Sequence, residues 1–465
     1  MASKNTLNRP WPGEDILDLS RRDLYFTPDF SAEELLKRRK KVARKIGRKA
    51  HAFIPSAPPT AGANKAQDAP FYYLSGLDTY HTYLLIEGSS GKSTLFIPDA
   101  KSACGEEPEN SVGIEQASMI KKRLLLDEVK PISQLKKRLS MVDNLFLPMA
   151  GIEGGRSSRF EATVNELNRQ AHPWDQAEPR SDRFKRLIRD LNAKVAFSDL
   201  CPVLEEMRRI KSPAEIELMR KAGRLSAKAV LESIKATQPG TTEMKLHAIS
   251  DYVFRQFGGS GPSYSTIAAS GKDTWYGHYS KNNNTLRSGE AVLMDTAADL
   301  RHYSSDIARF WPVNGTYTPW QRKTYGMITE YHKILLSLIC PGKMHADIYS
   351  EAAKLMKKKV RQAGFPYSGT AAMVDQMIKR DVKYLNHGIG MSTHDAVGPW
   401  RDMPLKPGMV FALDPMIWLK DKHYYVRVED TVLVTRHGYE VLTRDVPFEP
   451  QDIEALMKEP SNFPI

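Results

Sequence analysis

The chain has 465 residues, 41% of them hydrophobic, and a formal net charge of +12 at pH 7. This length exceeds what one ordinary core accommodates, so we expect two domains. No apolar run approaches the roughly 20 residues of a membrane span, and the amino-terminal segment is polar, which argues against a membrane partner and a secretory signal. The three cysteines, Cys104, Cys201 and Cys340, are widely spaced and form no CxxC pair. This usage is typical of a reducing compartment and predicts a cytoplasmic location.

The most basic segment of the chain, Lys37–Lys41 (KRRKK), raises the question of nucleic-acid binding. It lies inside a helical pattern that begins with Ser31 and Glu34 as a capping box and carries an apolar face. Aromatic residues are not interleaved with the basic ones, as a base-stacking platform requires. We therefore expect a solvated helix face and no nucleic-acid partner.

The first 200 residues or so alternate helical patterns with short apolar runs bounded by Gly, Ser and Pro. These runs predict strands at Phe71–Leu74, Tyr83–Ile86, Thr94–Ile97 and Asn144–Leu147. A long helix is then indicated by Ser212 as N-cap, Pro213 at the first helical position and Glu215 completing a capping box. We expect an α/β domain over residues 1–205 and a second domain over residues 206–465.

Two aspartates frame a predicted hairpin in the second domain. Asp295 ends one apolar run and Asp306 opens the next, with the turn expected near Leu300–Arg301. In that register the aspartates lie opposite each other, with Cβ atoms within ~5 Å on one face. Because like charges so placed repel, divalent cations between them would explain the pair.

Three further polar residues are candidates for the same site. His387 stands in a glycine-containing segment, and its distance in sequence from His394 is not the i, i+4 spacing of the helical HExxH zinc motif. Asp414 ends a strand-like run, and Glu429 lies inside an alternating strand, where a buried carboxylate must be paired or metal-bound. A salt bridge to Arg427, two residues away on the same strand face, is an equally simple explanation of Glu429.

Together these residues form a set of four carboxylates and one imidazole: Asp295, Asp306, His387, Asp414 and Glu429. Hard oxygen ligands with one nitrogen suit divalent Mn²⁺, Co²⁺, Fe²⁺ or Zn²⁺. Two such ions ~3.5–4 Å apart, bridged by carboxylates, are a known way to activate a water against a carbonyl or phosphoryl centre.

Several motifs of the second domain follow one another in a recognisable order: IAASG with HYSKN, LMDTAADLRHYSSDIARFWPVNG, HGIGMSTHD, LKPGMVFALDP and VRVEDTVLVT. In this order they resemble the pita-bread metallopeptidases, the family of Xaa-Pro dipeptidases (prolidases), aminopeptidases P and methionine aminopeptidases. FYYLSG followed by TLFIPD is similar to the N-terminal domain of aminopeptidases P and prolidases, and IKSPAEIELMRKA to the family's first catalytic-domain helix. The resemblance implies a creatinase/prolidase-like α/β domain followed by a pita-bread catalytic domain, an antiparallel sheet with flanking helices.

The resemblance also implies a role for each candidate ligand. Asp295 corresponds to a ligand of one metal, and Asp306 and Glu429 to bridging carboxylates. His387 and Asp414 correspond to ligands of the other metal. In the family the metals hold a bridging hydroxide that attacks the scissile carbonyl.

Other positions carry over from the same family pattern. His278 matches the residue that contacts the substrate amide, and His394 the residue that hydrogen-bonds the substrate carbonyl. Arg427 resembles an arginine that holds a ligand carboxylate in place. The chain has Asp414-Pro415-Met416 where the family usually has Glu-Pro-Gly, and that Glu also handles the proton of the bridging water. Unless the strand shifts, the shorter side chain retracts the carboxylate by more than about 1 Å, beyond the ~0.5 Å tolerance of active sites.

The leading hypothesis is a dinuclear-metal-dependent exopeptidase that cleaves Xaa-Pro bonds of short peptides, as a dipeptidase or an aminopeptidase. Two divalent metal ions are expected, with Mn²⁺ the leading candidate. The resemblance of the N-terminal half to the family domain that builds dimers implies a homodimer. The same fold includes a metal-free creatine hydrolase, a metal-dependent lyase and inactive binding proteins, so fold alone does not fix the reaction. Retention of all five ligand positions and of His278, His387 and His394 argues against the metal-free and inactive alternatives.

Overall fold

The computed structural model describes residues 25–58, 67–99, 112–149, 159–362, 375–376, 378, 385–395 and 402–463. These residues form two compact units. The N-terminal unit comprises the described residues of Ser20–Arg208 and His394–Gly398, and the C-terminal unit those of Arg209–Thr393 and Pro399–Ile465. No helix within these ranges is both long and apolar enough to cross a membrane. Cys201 and Cys340 are free thiols, and Cys104 lies outside the described residues.

The N-terminal unit is built on a mixed six-stranded sheet with the order β4-β3-β2-β1-β5-β6. Its strands are β1 His51–Pro55, β2 Tyr83–Glu87, β3 Ser93–Ile97, β4 Glu128–Pro131, β5 Asn144–Leu147 and β6 Ala196–Asp199. Its helices are α1 Ala32–Ile46, α2 Ala69–Ser75, α3 Ala117–Leu124, α4 Leu135–Leu139, α5 Arg159–Ala171, α6 Arg180–Leu191 and α7 Cys201–Arg208. The predicted strands that coincide with β2, β3 and β5 are confirmed.

The strand predicted at Phe71–Leu74 is wrong, because these residues form the middle of helix α2. Pro70 stands in the first helical turn, where its missing N–H is harmless, and Gly76 ends the helix in the left-handed conformation with φ 68°. Every residue of α2 is buried. A short segment that is apolar on all sides carries no periodicity that separates a helix from a buried strand.

The basic segment Lys37–Lys41 is only partly the solvated face that the sequence predicts. Arg38 and Arg39 are buried. Arg38 donates to the carbonyl of Tyr73, and Arg39 donates to the carbonyls of Leu74 and Leu124 at 3.0 and 2.6 Å. These carbonyls lie in the last turns of α2 and α3, where backbone acceptors lack helical partners. Planar guanidinium groups supply the missing donors, so these two charges serve the fold.

The C-terminal unit contains several small sheets flanked by helices. The strand orders are β11-β9-β8, β12-β13-β16-β17, β14-β15 and β10-β7. The strands are β7 Gly261–Pro262, β8 Ile267–Ser270, β9 Ala291–Thr296, β10 Ala298–Asp299, β11 Ile307–Pro312, β12 Leu385–Gly388, β13 Val410–Leu413, β14 Met416–Leu419, β15 Tyr424–Arg427, β16 Asp430–Val434 and β17 Tyr439–Val441. The helices are α8 Pro213–Lys235, α9 Glu243–Gln256, α10 Pro319–Leu338, α11 His345–Gln362 and α12 Pro450–Leu456.

Helix α8 begins as the sequence predicts. Ser212 accepts from the Glu215 backbone N–H at 3.2 Å, and the Glu215 side chain accepts from the Ser212 backbone N–H at 2.9 Å. This reciprocal capping box fixes the start of the helix, with Pro213 in its first turn. The helix then contributes Val230 and Ile234 to a core that also includes Leu293 of β9 and Phe310 of β11. The two strands that flank the predicted aspartate hairpin are therefore anchored from behind by apolar packing.

Candidate metal centre

The five predicted ligands lie at the ends of strands in the C-terminal unit. Asp295 is in β9, Asp306 precedes β11, His387 is in β12, Asp414 follows β13, and Glu429 stands between β15 and β16. All five are buried, with exposed fractions of 8% for His387 and no more than 4% for the carboxylates. Strand ends place the side chains on rigid elements, and the surrounding burial withholds water from the charges.

The hairpin that carries the two aspartates has a different register from the predicted one. Its turn residues are Arg301 and His302, both with positive φ (51° and 67°), and Leu300 pairs with Tyr303 across them. Asp295 consequently lies opposite Ala308 in the β9–β11 ladder, two residues beyond Asp306. The aspartates are diagonal neighbours on one face, because residues two apart in an extended strand point the same way. The turn is centred one residue later in the chain than predicted, so the prediction of a directly opposed pair is wrong.

Three of the predicted ligands converge closely. Asp306, His387 and Glu429 each offer a ligand atom within 4.8 Å of the others. The Nε2 atom of His387 lies 3.5 Å from Asp306 Oδ2 and 3.9 Å from Glu429 Oε1. These distances are too long for good hydrogen bonds, and they leave the imidazole and the carboxylates pointing at a common space.

The other two carboxylates face Arg427. Its guanidinium donates to Asp295 Oδ2 at 2.5 Å and to Asp414 Oδ2 at 2.7 Å, and it also lies 2.5 Å from Glu429 Oε2. One arginine thus contacts three of the four carboxylates. The salt bridge between Arg427 and Glu429, considered above as an alternative to a metal site, exists alongside the convergence of ligand atoms.

Tyr264 belongs to this cluster although the sequence analysis did not select it. Its hydroxyl contacts Asp295 Oδ1 and lies 2.6 Å from Asp306 Oδ1. A phenol has one hydrogen, so both contacts are hydrogen bonds only when one of the aspartates is protonated. The only sequence signal is its position between the Gly258–Gly261 bend and strand β8, three residues before the segment that pairs with Asp295.

The electrostatics of the cluster are those of crowded anions. Burial, and then the charge of Asp295, raise the pKa of Asp306 well above its ordinary value. Burial also raises the pKa of Glu429, with Asp306 and Asp295 adding to it and Arg427 opposing it. Burial and the neighbouring Asp295 raise the pKa of the Tyr264 hydroxyl. Without added positive charge, the protein satisfies this site by taking up protons.

The donor set fits divalent cations. Four carboxylates face one arginine, which leaves an excess of negative charge in a buried space. Among the described residues, no donor hydrogen-bonds to Glu429 Oε1, although the atom is buried. A buried carboxylate oxygen without a donor is costly unless a cation binds it. Oxygen ligands with one imidazole are the set that divalent transition metals accept.

The two predicted substrate-contacting histidines are not part of this cluster of contacts. His278 is exposed, shortly after a 3₁₀ helix at Gly271–Trp275, and within the described part of the chain it makes no hydrogen bond to the carboxylates. His394 belongs to the N-terminal unit, where its Nδ1 lies 2.9 Å from Glu161 Oε1 on α5. Their roles stay predictions from the resemblance.

A second buried ionic cluster, missed by the sequence analysis, adjoins the first. Arg309 of β11 donates to Asp430 Oδ1 at 2.8 Å and to the main-chain oxygen of Glu429 at 2.7 Å. His332 Nε2 lies 2.9 Å from Asp430 Oδ2, and Thr443 donates to Asp430 Oδ1 at 2.6 Å. Burial opposes ionisation of Asp430, but Arg309 and His332 outweigh it and lower its pKa.

The chain matches known protein families over most of its length. Residues 217–436 match metallopeptidase family M24, and residues 35–144 match the aminopeptidase P N-terminal domain. Rat Xaa-Pro aminopeptidase 3 is 28% identical over 413 residues, which cover 85% of this chain and 77% of that protein. Xaa-Pro aminopeptidase of Escherichia coli is 32% identical over 280 residues, covering 58% of this chain and 64% of the relative.

Solved structures agree with the sequence comparisons. A structure of Escherichia coli aminopeptidase P in complex with substrate superposes with a TM-score of 0.72 and 26% identity, covering 92% of this chain and 98% of that one. The fold and the family matches together define an aminopeptidase P-like two-domain structure with a C-terminal metallopeptidase domain. The family matches place residues 217–436 in metallopeptidase family M24 and residues 35–144 with the aminopeptidase P N-terminal domain. The resemblance to the pita-bread metallopeptidases and the predicted fold class are thereby confirmed.

Proposed function

We propose that this protein is a metal-dependent Xaa-Pro aminopeptidase that releases the first residue of peptides with proline in second position. Two divalent metal ions would be held by the set Asp295, Asp306, His387, Asp414 and Glu429. The observation that carries the proposal is the buried convergence of Asp306, His387 and Glu429, with no donor to Glu429 Oε1 among the residues that the structure describes. The Xaa-Pro aminopeptidase relatives and the aminopeptidase P type of N-terminal domain favour an aminopeptidase over a dipeptidase.

Bound divalent cations would polarise the scissile carbonyl. They would also lower the pKa of a bound water toward neutral pH, so that it becomes a nucleophile. The protein's own residues would do the positioning. Arg427 orients Asp295, Asp414 and Glu429 through its three contacts, and Tyr264 spaces Asp295 and Asp306 through its hydroxyl. Asp414 would accept the proton of the attacking water. Its side chain is one methylene shorter than the Glu that the family usually has at this position. His278 and His394 would contact the substrate amide and carbonyl.

The proposal is tested by comparing two substrates with purified protein and added Mn²⁺. An Xaa-Pro-Yaa tripeptide should release its first residue, and an Xaa-Pro dipeptide should release little proline. Metal analysis should find close to two transition-metal ions per chain. Tripeptide cleavage that persists without bound metal would refute the mechanism, and dipeptide cleavage alone would make the protein a prolidase.

A matched pair of histidine variants makes the test specific to the site. His387→Ala removes the imidazole that faces Asp306 and Glu429, so it should lose metal and activity. His437→Ala changes an exposed histidine of a surface turn and should keep both. Metal binding with no cleavage of either peptide would favour the hydrolase or lyase of a small molecule instead.

Three finer points of the sequence analysis remain predictions. Replacing Mn²⁺ by Co²⁺, Fe²⁺ or Zn²⁺ in the tripeptide assay ranks the metals. Light scattering at several protein concentrations tests the predicted homodimer. Fractionation of the source cells tests the predicted cytoplasmic location.

A further inference from the structure

Thr431 makes an unusual pair of contacts with Asp306. Its Oγ1 accepts a hydrogen bond from the Asp306 backbone N–H at 2.7 Å and donates one to the Asp306 carbonyl at 2.9 Å. In the described part of the chain, this one hydroxyl is the partner of both main-chain groups of the aspartate. Thr431 and Asp306 are both buried, at 0% and 3% exposure.

The arrangement replaces a missing step of an antiparallel ladder. Ala308 and Glu429 exchange both main-chain hydrogen bonds, at 3.2 and 3.0 Å, so the next hydrogen-bonded pair along the two strands would be Asp306 with Thr431. The main chain of Thr431 is engaged elsewhere, because its N–H donates to Thr443 and its carbonyl accepts from Leu442. The strands separate at this point, and the hydroxyl spans the gap.

A hydroxyl suits this position because it offers one donor and two acceptor lone pairs at a single atom. A valine of the same shape would leave the Asp306 N–H and carbonyl buried without partners. Each such group costs about 1–3 kcal/mol, and the main chain would move to recover a partner. Any such movement carries the Asp306 carboxylate with it, away from His387 and Tyr264.

We propose that Thr431 is a positioning residue of the metal centre, which fixes the Asp306 carboxylate by holding the main chain of that aspartate on both sides. The inference rests on the proposed function, since it assigns Thr431 a role in metal binding. Thr431 touches neither metal nor substrate; it acts through Asp306. Its loss should weaken metal binding by about 10- to 100-fold, as loss of groups behind metal ligands typically does.

The test measures metal affinity by calorimetric titration of Mn²⁺, beside kcat and KM for the tripeptide. Thr431→Val should lower metal affinity about 10- to 100-fold and reduce kcat more than it changes KM. Thr431→Ser keeps the hydroxyl and should restore both metal affinity and kcat. The matched control is Thr329→Val, which should leave both unchanged. Thr329 is a buried threonine of α10, and its hydroxyl donates to the Gly326 carbonyl of its own helix, its one side-chain hydrogen bond within the described residues.

The outcomes separate this inference from the proposed function. Wild-type metal affinity and kcat in folded Thr431→Val would overturn the inference and leave the proposed function intact. If Thr431→Val does not fold, Thr431→Cys replaces it, because its thiol is a weak donor and acceptor. Thr431→Cys should lower metal affinity by less than the loss expected for Thr431→Val. Wild-type metal affinity in Thr431→Cys would overturn the inference. A wild-type protein that binds no metal and cleaves no peptide would overturn both.

Discussion

Glu429 and Asp430 are consecutive residues, both fully buried, and the pKa of each moves in the opposite direction from that of the other. Burial raises the pKa of Glu429, and three more carboxylates add to the rise while a single arginine opposes it. The pKa of Asp430 is lowered, because Arg309 and His332 face one carboxylate. In the cluster around Asp430 positive partners match the single acid, whereas in the cluster around Glu429 one arginine faces an excess of carboxylates. Burial is common to both, so the imbalance distinguishes the candidate metal centre from structural ion pairing.

Arg309→Met tests the balanced cluster and should have the largest effect. It leaves Asp430 buried beside a neutral side chain, and breaking a buried pair in this way costs about 3–5 kcal/mol of unfolding free energy. Urea denaturation at neutral pH measures it. The control Arg322→Met removes a half-exposed partner of Glu454 and should cost less than about 1 kcal/mol. Equal losses in the two variants would contradict the structural role of Arg309.

Asp306→Asn tests the unbalanced cluster. Because it removes a proposed ligand, kcat/KM for the tripeptide should fall by more than about 100-fold, beyond the usual effect of residues behind a ligand. The same change relieves repulsion with Asp295, so metal-free protein should gain about 1 kcal/mol, the equivalent of roughly one pKa unit. The exposed Asp182→Asn should change neither quantity. Loss of stability in metal-free Asp306→Asn would mean that the anions are already balanced.

Asp414→Glu asks whether the shortened carboxylate limits activity. Restoring the longer side chain of the family should keep kcat or raise it, by up to about tenfold, because misplacement of about 1 Å can lower rates by more than that. Asp421→Glu, in the exposed turn between β14 and β15, serves as the control. Abolished activity in Asp414→Glu would show that the site is built for a different geometry or reaction.

The pH dependence of the free energy of unfolding should also distinguish the two clusters. Of the four expected effects, this one is the smallest. Raised folded-state pKa values of Asp306 and Glu429 mean that metal-free protein loses stability as pH rises above the ordinary values of 3.8 and 4.5. The lowered pKa of Asp430 works in the other direction: its contribution is present above pH 3.8 and is lost as pH falls. Urea denaturation of metal-free protein at about pH 5 and about pH 8 should show a decrease of about 1 kcal/mol. Saturating Mn²⁺ should abolish that decrease, and an unchanged slope would argue against cation binding.

The sequence located the residues of the buried cluster better than the contacts that hold them. Carboxylates in apolar strands are visible because their burial must be compensated, and this reasoning found Asp295, Asp306, Asp414 and Glu429. Tyr264 and Thr431 were missed because a tyrosine or threonine near a strand is ordinary, and only the three-dimensional pairing reveals their partners. Arg309 was also missed, because a single arginine in a strand does not indicate which carboxylate it pairs with.

Secondary structure and the burial of charged side chains were also predicted only in part. Helix α2 resembles a strand because it is apolar on every side, and Arg38 and Arg39 appear solvated until the helix ends they satisfy are known. The capping box of α8 was predictable because all of its partners lie within four residues. The capping box was found because its interactions are local, whereas the burial of Arg38 and Arg39 was missed because distant segments supply their acceptors.

The turn at Arg301 and His302 limits how the length of this segment can change. Both residues have the left-handed backbone conformation, and the turn determines which residue of the second strand lies opposite Asp295. One inserted residue would move Asp306 to the other face of the sheet, away from Tyr264 and His387. Two inserted residues would keep the face but displace the carboxylate by about 7 Å along the strand. Unlike most surface turns, this one should tolerate changes of sequence, such as Asn-Gly, but neither insertions nor deletions.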